Sequence, residues 1–406
     1  MVNPSTVHYD ISPRHFRELV HQLAPQSILT VGHQRSLELS GATGLLEGLS
    51  GFLCANFSEY KPNPTLDEVR QGLELVNAVK PDLIIAVGGG SAIDVAKMLT
   101  VCGSPAAFNM NDVLACGKAP HRESKPRLIA IPTTAGTGSE ATHFATIYHA
   151  GKKYSISSPQ MIPDHVILNA QLTASMPPYV AGCTGLDALA HGIESYWSVS
   201  STEESSRNST EAITRLLKYL PIVAQTDSLD ARREVLLGAH YAGRAINLTK
   251  TTAPHAVSYA LTSRLGLAHG HAVFLTLPWF LEFNNDVTWE SLADKRGIAH
   301  VKERMQNIFQ MLGCDSAATA RESAIAFAES VGVKLVPLPV QVDAEPMIPE
   351  LAKVFDLTRA GNNPRVCTVE EVSAMLARLL RPSSNSSVEQ GSRSNGAEEK
   401  PKGTIY

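Results

Sequence analysis

The sequence predicts an α/β domain on a parallel, doubly wound sheet, followed by an all-helical domain. Three observations predict this. Over residues 1–177 short apolar runs alternate with helix-like stretches, the pattern of strand–helix–strand units with a parallel sheet. At Pro177-Pro178 the period turns helical and stays so to about Leu380, giving a second domain over 178–381. Between one strand and the next helix stands Gly88-Gly89-Gly90, where backbone can approach a ligand with no side chain in the way.

Taken in order, the first strand is Ser27–Val31, and Gly32-His-Gln-Arg35 follows it without a carboxylate. Leu66–Val79 has helical spacing. Leu83–Val87 is a short apolar run suited to a strand buried on both faces. After the glycines, Ser91 is placed to cap a helix whose N-terminus offers free N–H groups to a pyrophosphate. The spacing is not G-x-G-x-x-G, and a plain tight turn accounts for it equally. Leu128–Ile131 is the next strand. Its sequel Pro132-Thr-Thr-Ala-Gly-Thr-Gly-Ser-Glu140 carries hydroxyls at Thr133, Thr134, Thr137 and Ser139 that suit phosphate, ribose or nicotinamide, or an ordinary turn. His165–Leu168 is a further strand. Residues 382–406 are rich in Ser, Asn, Glu and Lys and read as a disordered tail.

In the helical half, Asp187 and His191 stand four apart, so a helix projects both from one face. His255 and His269 are fourteen residues apart, roughly 21 Å on one straight helix at about 1.5 Å per residue. A turn at Gly266 must therefore fold them back together. One carboxylate and three imidazoles make an O/N site for a divalent first-row metal. Each residue alone is better explained by a hydrogen-bonded core, and only their company favours a metal.

The 406 residues allow two sizeable cores, and 44% hydrophobic with 18% charged residues is ordinary for a globular protein. A net charge of −4 gives no reason to expect nucleic acid or an anionic membrane as partner. Six scattered cysteines without a C-x-x-C pair suit reduced thiols and a cytoplasmic setting. The Met1–Ser5 segment has no signal-peptide order, and the longest apolar stretch, Ala272–Phe280, is too short to span a membrane.

The three clusters in this order resemble the iron-dependent (group III) alcohol dehydrogenase family, from about Lys61 to Leu380. The marks are Asn63-Pro64, Gly88–Asp94, Pro132–Glu140, Lys153-Tyr-Ser, Gly185–His191, His255, Ala268-His-Gly270 and Asn363-Pro-Arg365. The resemblance implies a Rossmann-like sheet with a helical domain of the dehydroquinate synthase type. It implies a homodimeric NAD(P)-linked oxidoreductase of alcohols or aldehydes. The metal ligands fall on Asp187, His191, His255 and His269, with Fe²⁺ implied and Zn²⁺ as the alternative. Cofactor contacts fall on Gly88, Gly89, Gly90, Ser91, Asp94, Thr133, Thr134, Thr137, Ser139 and Lys153. Many members carry a second histidine where this chain has Tyr259, which is expected to line the cleft and relay a proton; its other reading is a core aromatic. His271 is the alternative relay.

Within the family, Ala245–Ser263 and His269–Val273 resemble the branch that reduces phosphonoacetaldehyde to 2-hydroxyethylphosphonate in phosphonate natural-product pathways. The alternative is a general, lactaldehyde-type dehydrogenase; a dehydroquinate synthase-like lyase fits the ligand set less well. A phosphonate needs convergent cations. Arg359 is the first choice and Lys250 the second, with Asn63 beside them; Arg264 and Arg296 fit solvated surface charges better. The missing carboxylate after Val31 favours NADPH over NADH, since neutral or basic residues there tolerate a 2′-phosphate.

Overall fold

A computed structural model of the chain describes residues 5–49, 51–103, 110–335, 348–353, 355 and 360–380. The proposed tail, 382–406, and Arg359 lie outside them.

The strands are β1 (Thr6–Tyr9), β2 (Ser27–Val31), β3 (Leu53–Phe57), β4 (Leu83–Gly88), β5 (Arg127–Pro132), β6 (Phe144–His149), β7 (Lys152–Ser157) and β8 (His165–Leu168). Six of them form one parallel sheet in the order β1-β8-β5-β4-β2-β3. Successive strand residues face opposite layers. Leu29, Val31, Ile84, Ala86, Leu128 and Ala130 join one core with the Leu66–Val79 and Gly90–Cys102 helices. Ile28, Leu83, Ile85, Val87, Ile129 and Ile131 join the other, with Phe16 and Val20. Every residue of β4 is buried, as a strand covered on both faces requires. The Leu66–Val79 helix starts at a reciprocal capping box between Thr65 and Glu68.

All four expected strands are present, and the structure adds β1, β3 and the antiparallel hairpin β6–β7. From β2 the chain moves outward to β3, then crosses back to place β4 on the other side of β2. The strand order thus reverses between the carboxyl ends of β2 and β4, the crevice where open α/β sheets bind ligands. Gly32 and Gly88 stand there. A Cβ on Gly32 would lie 2.8 Å from the Val87 carbonyl oxygen, and Gly88 has φ +153°.

Beyond β8 the described chain is helical, beginning with Pro178–Trp197. From Gly185 to Trp197 every residue of that helix is buried, so it is the central rod of the second domain. Glycines let its neighbours in: a Cβ on Gly185 would meet Leu220 at 2.4 Å, and one on Gly182 the Val331 oxygen at 2.4 Å. The Ala253–Leu265 helix ends at Gly266, φ +67°, in a left-handed cap. The next helix, His269–Asn285, packs back on it and on the central rod. Among the described residues no helix is long and apolar enough to cross a membrane.

Candidate metal centre and nucleotide turn

Asp187 and His191 come from adjacent turns of the central helix, His255 from the first turn of Ala253–Leu265, and His269 from the start of the following helix. One ligand atom each of Asp187, His191 and His255 lie within 4.8 Å of one another, and all three residues are buried. His269 stands at their edge, Nε2 3.9 Å from Asp187 Oδ1, with its side chain 32% exposed. The His191 and His255 rings stack at 4.5 Å. Asp187 Oδ1, His191 Nδ1 and His255 Nε2 are buried without hydrogen-bond partners. Orphaned polar atoms are costly in an interior. Asp187 Oδ1 and His255 Nε2 stand only 3.3 Å apart, and a divalent cation among these three buried residues fits as the missing partner.

The charge states agree with ligation. Burial pushes the Asp187 carboxyl up, but His191, His269 and His255 outweigh it and hold it well below the usual range. Burial lowers His191 to about 4 and places His269 well below its ordinary value. An ionised carboxylate and neutral imidazoles are what a metal needs. His255 differs: burial would lower it, yet the Glu194 and Asp187 carboxylates raise it to about 9.

Glu194 explains how His255 is aimed. It is fully buried and accepts from the Thr252 N–H at 2.6 Å, the Thr252 hydroxyl at 2.8 Å and His255 Nδ1. Holding Nδ1–H leaves Nε2 for the metal, the carboxylate–histidine–metal arrangement that fixes tautomer and ring orientation. Sequence reasoning did not single out Glu194. The signal was present, since it lies seven residues after Asp187 and three after His191, on the same helix face.

At the nucleotide turn, a Cβ on Gly89 would lie 3.3 Å from Thr134 Oγ1, and one on Gly90 2.8 Å from Thr137 Oγ1. The glycines therefore admit the threonine loop. The helix begins at Gly90 with Gly89 as an N-cap lacking any side-chain bond. Ser91 does not cap it as expected; it sits in the first turn, where its Oγ accepts from the Asn63 N–H at 3.4 Å. The first amides are left for an anion. Thr133 N–H donates to the Gly88 oxygen at 3.0 Å. Beneath the turn, Ser139 donates to Asp94, which also accepts from Thr146 N–H at 2.8 Å. The buried Lys97 donates to Ser139, Thr142 and the Phe144 oxygen at 3.2, 2.8 and 2.8 Å. Asp94 and Ser139 are thus joined to each other in a knot that fixes the loop and β6. Gly138 and Glu140 fasten the same loop to the Leu229–Thr249 helix. A Cβ on Gly138 would fall 2.5 Å from Gly243 Cα, and Glu140 meets His240 at 3.1 Å.

Tyr259 lies near-parallel to the His269 ring at 5.9 Å, and Lys153 of β7 holds its ammonium 3.9 Å from the Tyr259 ring centre. His271 turns to Tyr179, Nδ1 2.9 Å from its hydroxyl; its Nε2 is buried without a partner. Asn63 (φ +61°) and Lys250 (φ +62°, just beyond the Leu229–Thr249 helix) are exposed. Arg264 is exposed, and Arg296 is pinned by Asp294 at 2.6 Å and by Ser198 and Ser201.

Residues 4–170 match the iron-containing alcohol dehydrogenase family, and residues 181–380 match that family's C-terminal domain. The chain belongs to the iron-containing alcohol dehydrogenases. It is therefore an oxidoreductase, and the cluster at Asp187, His191 and His255 is its candidate iron site. The chain is 38% identical over 265 residues to the phosphonoacetaldehyde reductase of Streptomyces viridochromogenes, covering 63% of this chain and 67% of that one. It is 29% identical over 398 residues to the bifunctional aldehyde-alcohol dehydrogenase of Escherichia coli, covering 89% of this chain but 45% of the relative, so it spans about half that protein's length. Among solved structures, sulfoacetaldehyde reductase from Bifidobacterium kashiwanohense in complex with NAD⁺ superposes with a TM-score of 0.79 at 26% identity, over 93% of this chain and 97% of that one.

Proposed function

We infer that this iron-containing alcohol dehydrogenase reduces a short anionic aldehyde, phosphonoacetaldehyde, to 2-hydroxyethylphosphonate with NADPH or NADH. The observation that carries the chemistry is the buried cluster of Asp187, His191 and His255, whose ligand atoms lie within 4.8 Å of one another. The substrate class is supported by the likeness to two reductases whose names specify two-carbon aldehydes that carry an anionic group. When bound, the divalent ion polarises the carbonyl oxygen and the reduced nicotinamide supplies the hydride.

The chain's own residues do the rest. Asp187, His191, His255 and His269 hold the ion, with Glu194 fixing His255. Gly88, Gly89, Gly90 and Ser91 take the pyrophosphate at the helix N-terminus; Thr133, Thr134 and Thr137 face the rest of the dinucleotide. Asp94, Ser139 and Lys97 keep that loop in place. Tyr259 delivers a proton to the alkoxide oxygen, with the His271–Tyr179 pair as the other route. Arg359 receives the phosphonate through its planar donor fork, with Lys250 and Asn63 as further donors.

A steady-state comparison of phosphonoacetaldehyde, acetaldehyde and lactaldehyde tests the reading. We expect kcat/KM for phosphonoacetaldehyde to exceed both others by at least about 10-fold, the value of one charge-assisted contact. Equal or better use of lactaldehyde would replace it with a general dehydrogenase.

A further inference from the structure

We propose that Lys250 sets the preference for an anionic aldehyde: its ammonium receives the tetrahedral oxyanion, and a strained backbone turn holds it ready to do so. The inference rests on the anionic-aldehyde reading above. It singles out one of the donors named there and gives the physical reason.

The reason is an outlier in the backbone. Lys250 closes the Leu229–Thr249 helix with φ +62° and ψ −178°, a region open to glycine and all but closed to residues with a Cβ. Ala24 and Lys80 also cap helices at positive φ, but their ψ values of 49° and 56° are those of the ordinary left-handed turn. Strain of the Lys250 kind persists only where the surroundings over-determine it. Here they do. The Lys250 N–H donates to the Ile246 oxygen at 2.7 Å, and its carbonyl accepts from the Thr249 hydroxyl at 2.9 Å. The Asn362 amide donates to the carbonyls of Thr249 and Thr251, on either side. Thr252 gives its N–H and hydroxyl to Glu194 at 2.6 and 2.8 Å, the same carboxylate that holds His255. Every one of these bonds runs through the Lys250 backbone or through its neighbours. A glycine would keep them all and relieve the strain, so the fold requires the turn and not the lysine.

The turn joins the two parts of the site. Asn247, three residues before Lys250, accepts from His143 through its N–H at 2.8 Å and its Nδ1 at 2.5 Å. His143 belongs to the loop that faces the nucleotide turn. Burial lowers its imidazole, the Asn247 bond works against this, and the charges of Lys97 and Lys250 lower it further. Downstream, Thr252 leads through Glu194 to His255. Lys250 thus stands on the stretch that links the cofactor loop to a proposed ligand helix. Other cations nearby are committed: Lys97 to three acceptors, Arg296 to Asp294. The Lys250 side chain is exposed and, among the described residues, its ammonium has no ion pair or hydrogen bond. An unpaired ammonium retained despite backbone strain suits an incoming anion. A lysine is a point-charge donor without a fork, so it accepts phosphonate and sulfonate alike.

The test reads two quantities on the metal-loaded enzyme. One is the ratio of kcat/KM for phosphonoacetaldehyde, and separately for sulfoacetaldehyde, over kcat/KM for acetaldehyde. The other is the thermal midpoint. In Lys250→Gly both ratios should fall by about 10- to 150-fold, the worth of one charge-assisted contact, while relief of strain raises the midpoint by roughly 2–4 °C. Lys250→Met keeps the Cβ and its strain, so the ratios should fall by the same factor with the midpoint within about 1 °C of wild type. Lys250→Arg keeps the charge and should recover part of the ratio. A merely structural residue would not lose anion preference while stability rises. Unchanged ratios in Lys250→Met, or equal losses on all three aldehydes, overturn the proposal and leave the anion to another donor. A midpoint that fails to rise in Lys250→Gly overturns the strain argument on which the proposal stands. A wild-type enzyme with no preference for either anionic aldehyde overturns the substrate reading itself, and this inference with it.

Discussion

Both oxygens of Glu194 are committed to the segment that carries His255. That commitment makes a residue outside the ligand set decisive for metal affinity. The carboxylate orients the imidazole, fixes its tautomer and adds basicity to the ligating nitrogen. In Glu194→Gln the charge is lost, while an amide of the same shape keeps the packing. Metal affinity should fall about 10- to 100-fold, measured by competition against a chelator of known affinity. A variant that binds metal as the wild type does would reduce Glu194 to a packing role. The ligand spacing was legible because a helix repeats every turn and Asp187 and His191 obey it. Glu194 obeys it too, but a buried glutamate shows its purpose only when Thr252 and His255, some sixty residues on, come to meet it. Lys97 is less legible still. Its three acceptors lie on a loop and strand more than forty residues away, and nothing in its own helix announces them.

At the scale of elements, two close contacts set the site. A Cβ on Gly270 would lie 1.9 Å from the Cys183 oxygen and 3.0 Å from Asp187 Cβ. The helix that begins at His269 can approach the central helix only because position 270 has no side chain. Gly270→Ala must push that helix end away and separate His269 from Asp187. Overpacking of this kind costs about 1–3 kcal/mol, so the thermal midpoint should drop and metal should bind more weakly. If the variant keeps wild-type midpoint and metal affinity, the close approach is not what places His269. The second contact lies at the end of β2. Gln34 holds Glu38 at 2.7 Å, and Arg35 is exposed. With no carboxylate from Gly32 to Arg35, and with Glu38 held by Gln34, a 2′-phosphate would meet the exposed Arg35 there. NADPH should serve at least as well as NADH in kcat/KM, and a hundredfold advantage for NADH would refute this. Strands that are continuous apolar runs could be read from the sequence, as could the capped Leu66–Val79 helix. The hairpin was missed because only alternate residues, Ala145, Ile147 and Ile156, are buried; no apolar run marks it. Its Ala150-Gly151 turn, both at positive φ, was the available clue.

Over the whole molecule, the proposed metal ligands join three helices that the sequence spreads from Asp187 to His269. The loop that faces the nucleotide is tied to the same helical body through Gly138–Gly243 and Glu140–His240. Only the folded chain gathers Asp187, His191 and His255, so on the proposed assignment metal stabilises folding by mass action. At free metal one hundred times the dissociation constant, the gain is about 2.7 kcal/mol. Spread over one or both domains, that raises the thermal midpoint by roughly 3–6 °C. Stripping the metal with a chelator should remove the increment, and adding Fe²⁺ or Zn²⁺ back should restore it. His255→Ala should show neither response and should hold no stoichiometric metal by elemental analysis. The variant's midpoint without metal should lie below that of the stripped wild type, because the substitution leaves the buried Glu194 carboxylate without its His255 Nδ1 partner. A midpoint in His255→Ala that still climbs with metal would mean that the ion binds elsewhere. A wild-type midpoint indifferent to metal would mean that the three buried donors are satisfied within the protein, and the assignment of the centre would fall.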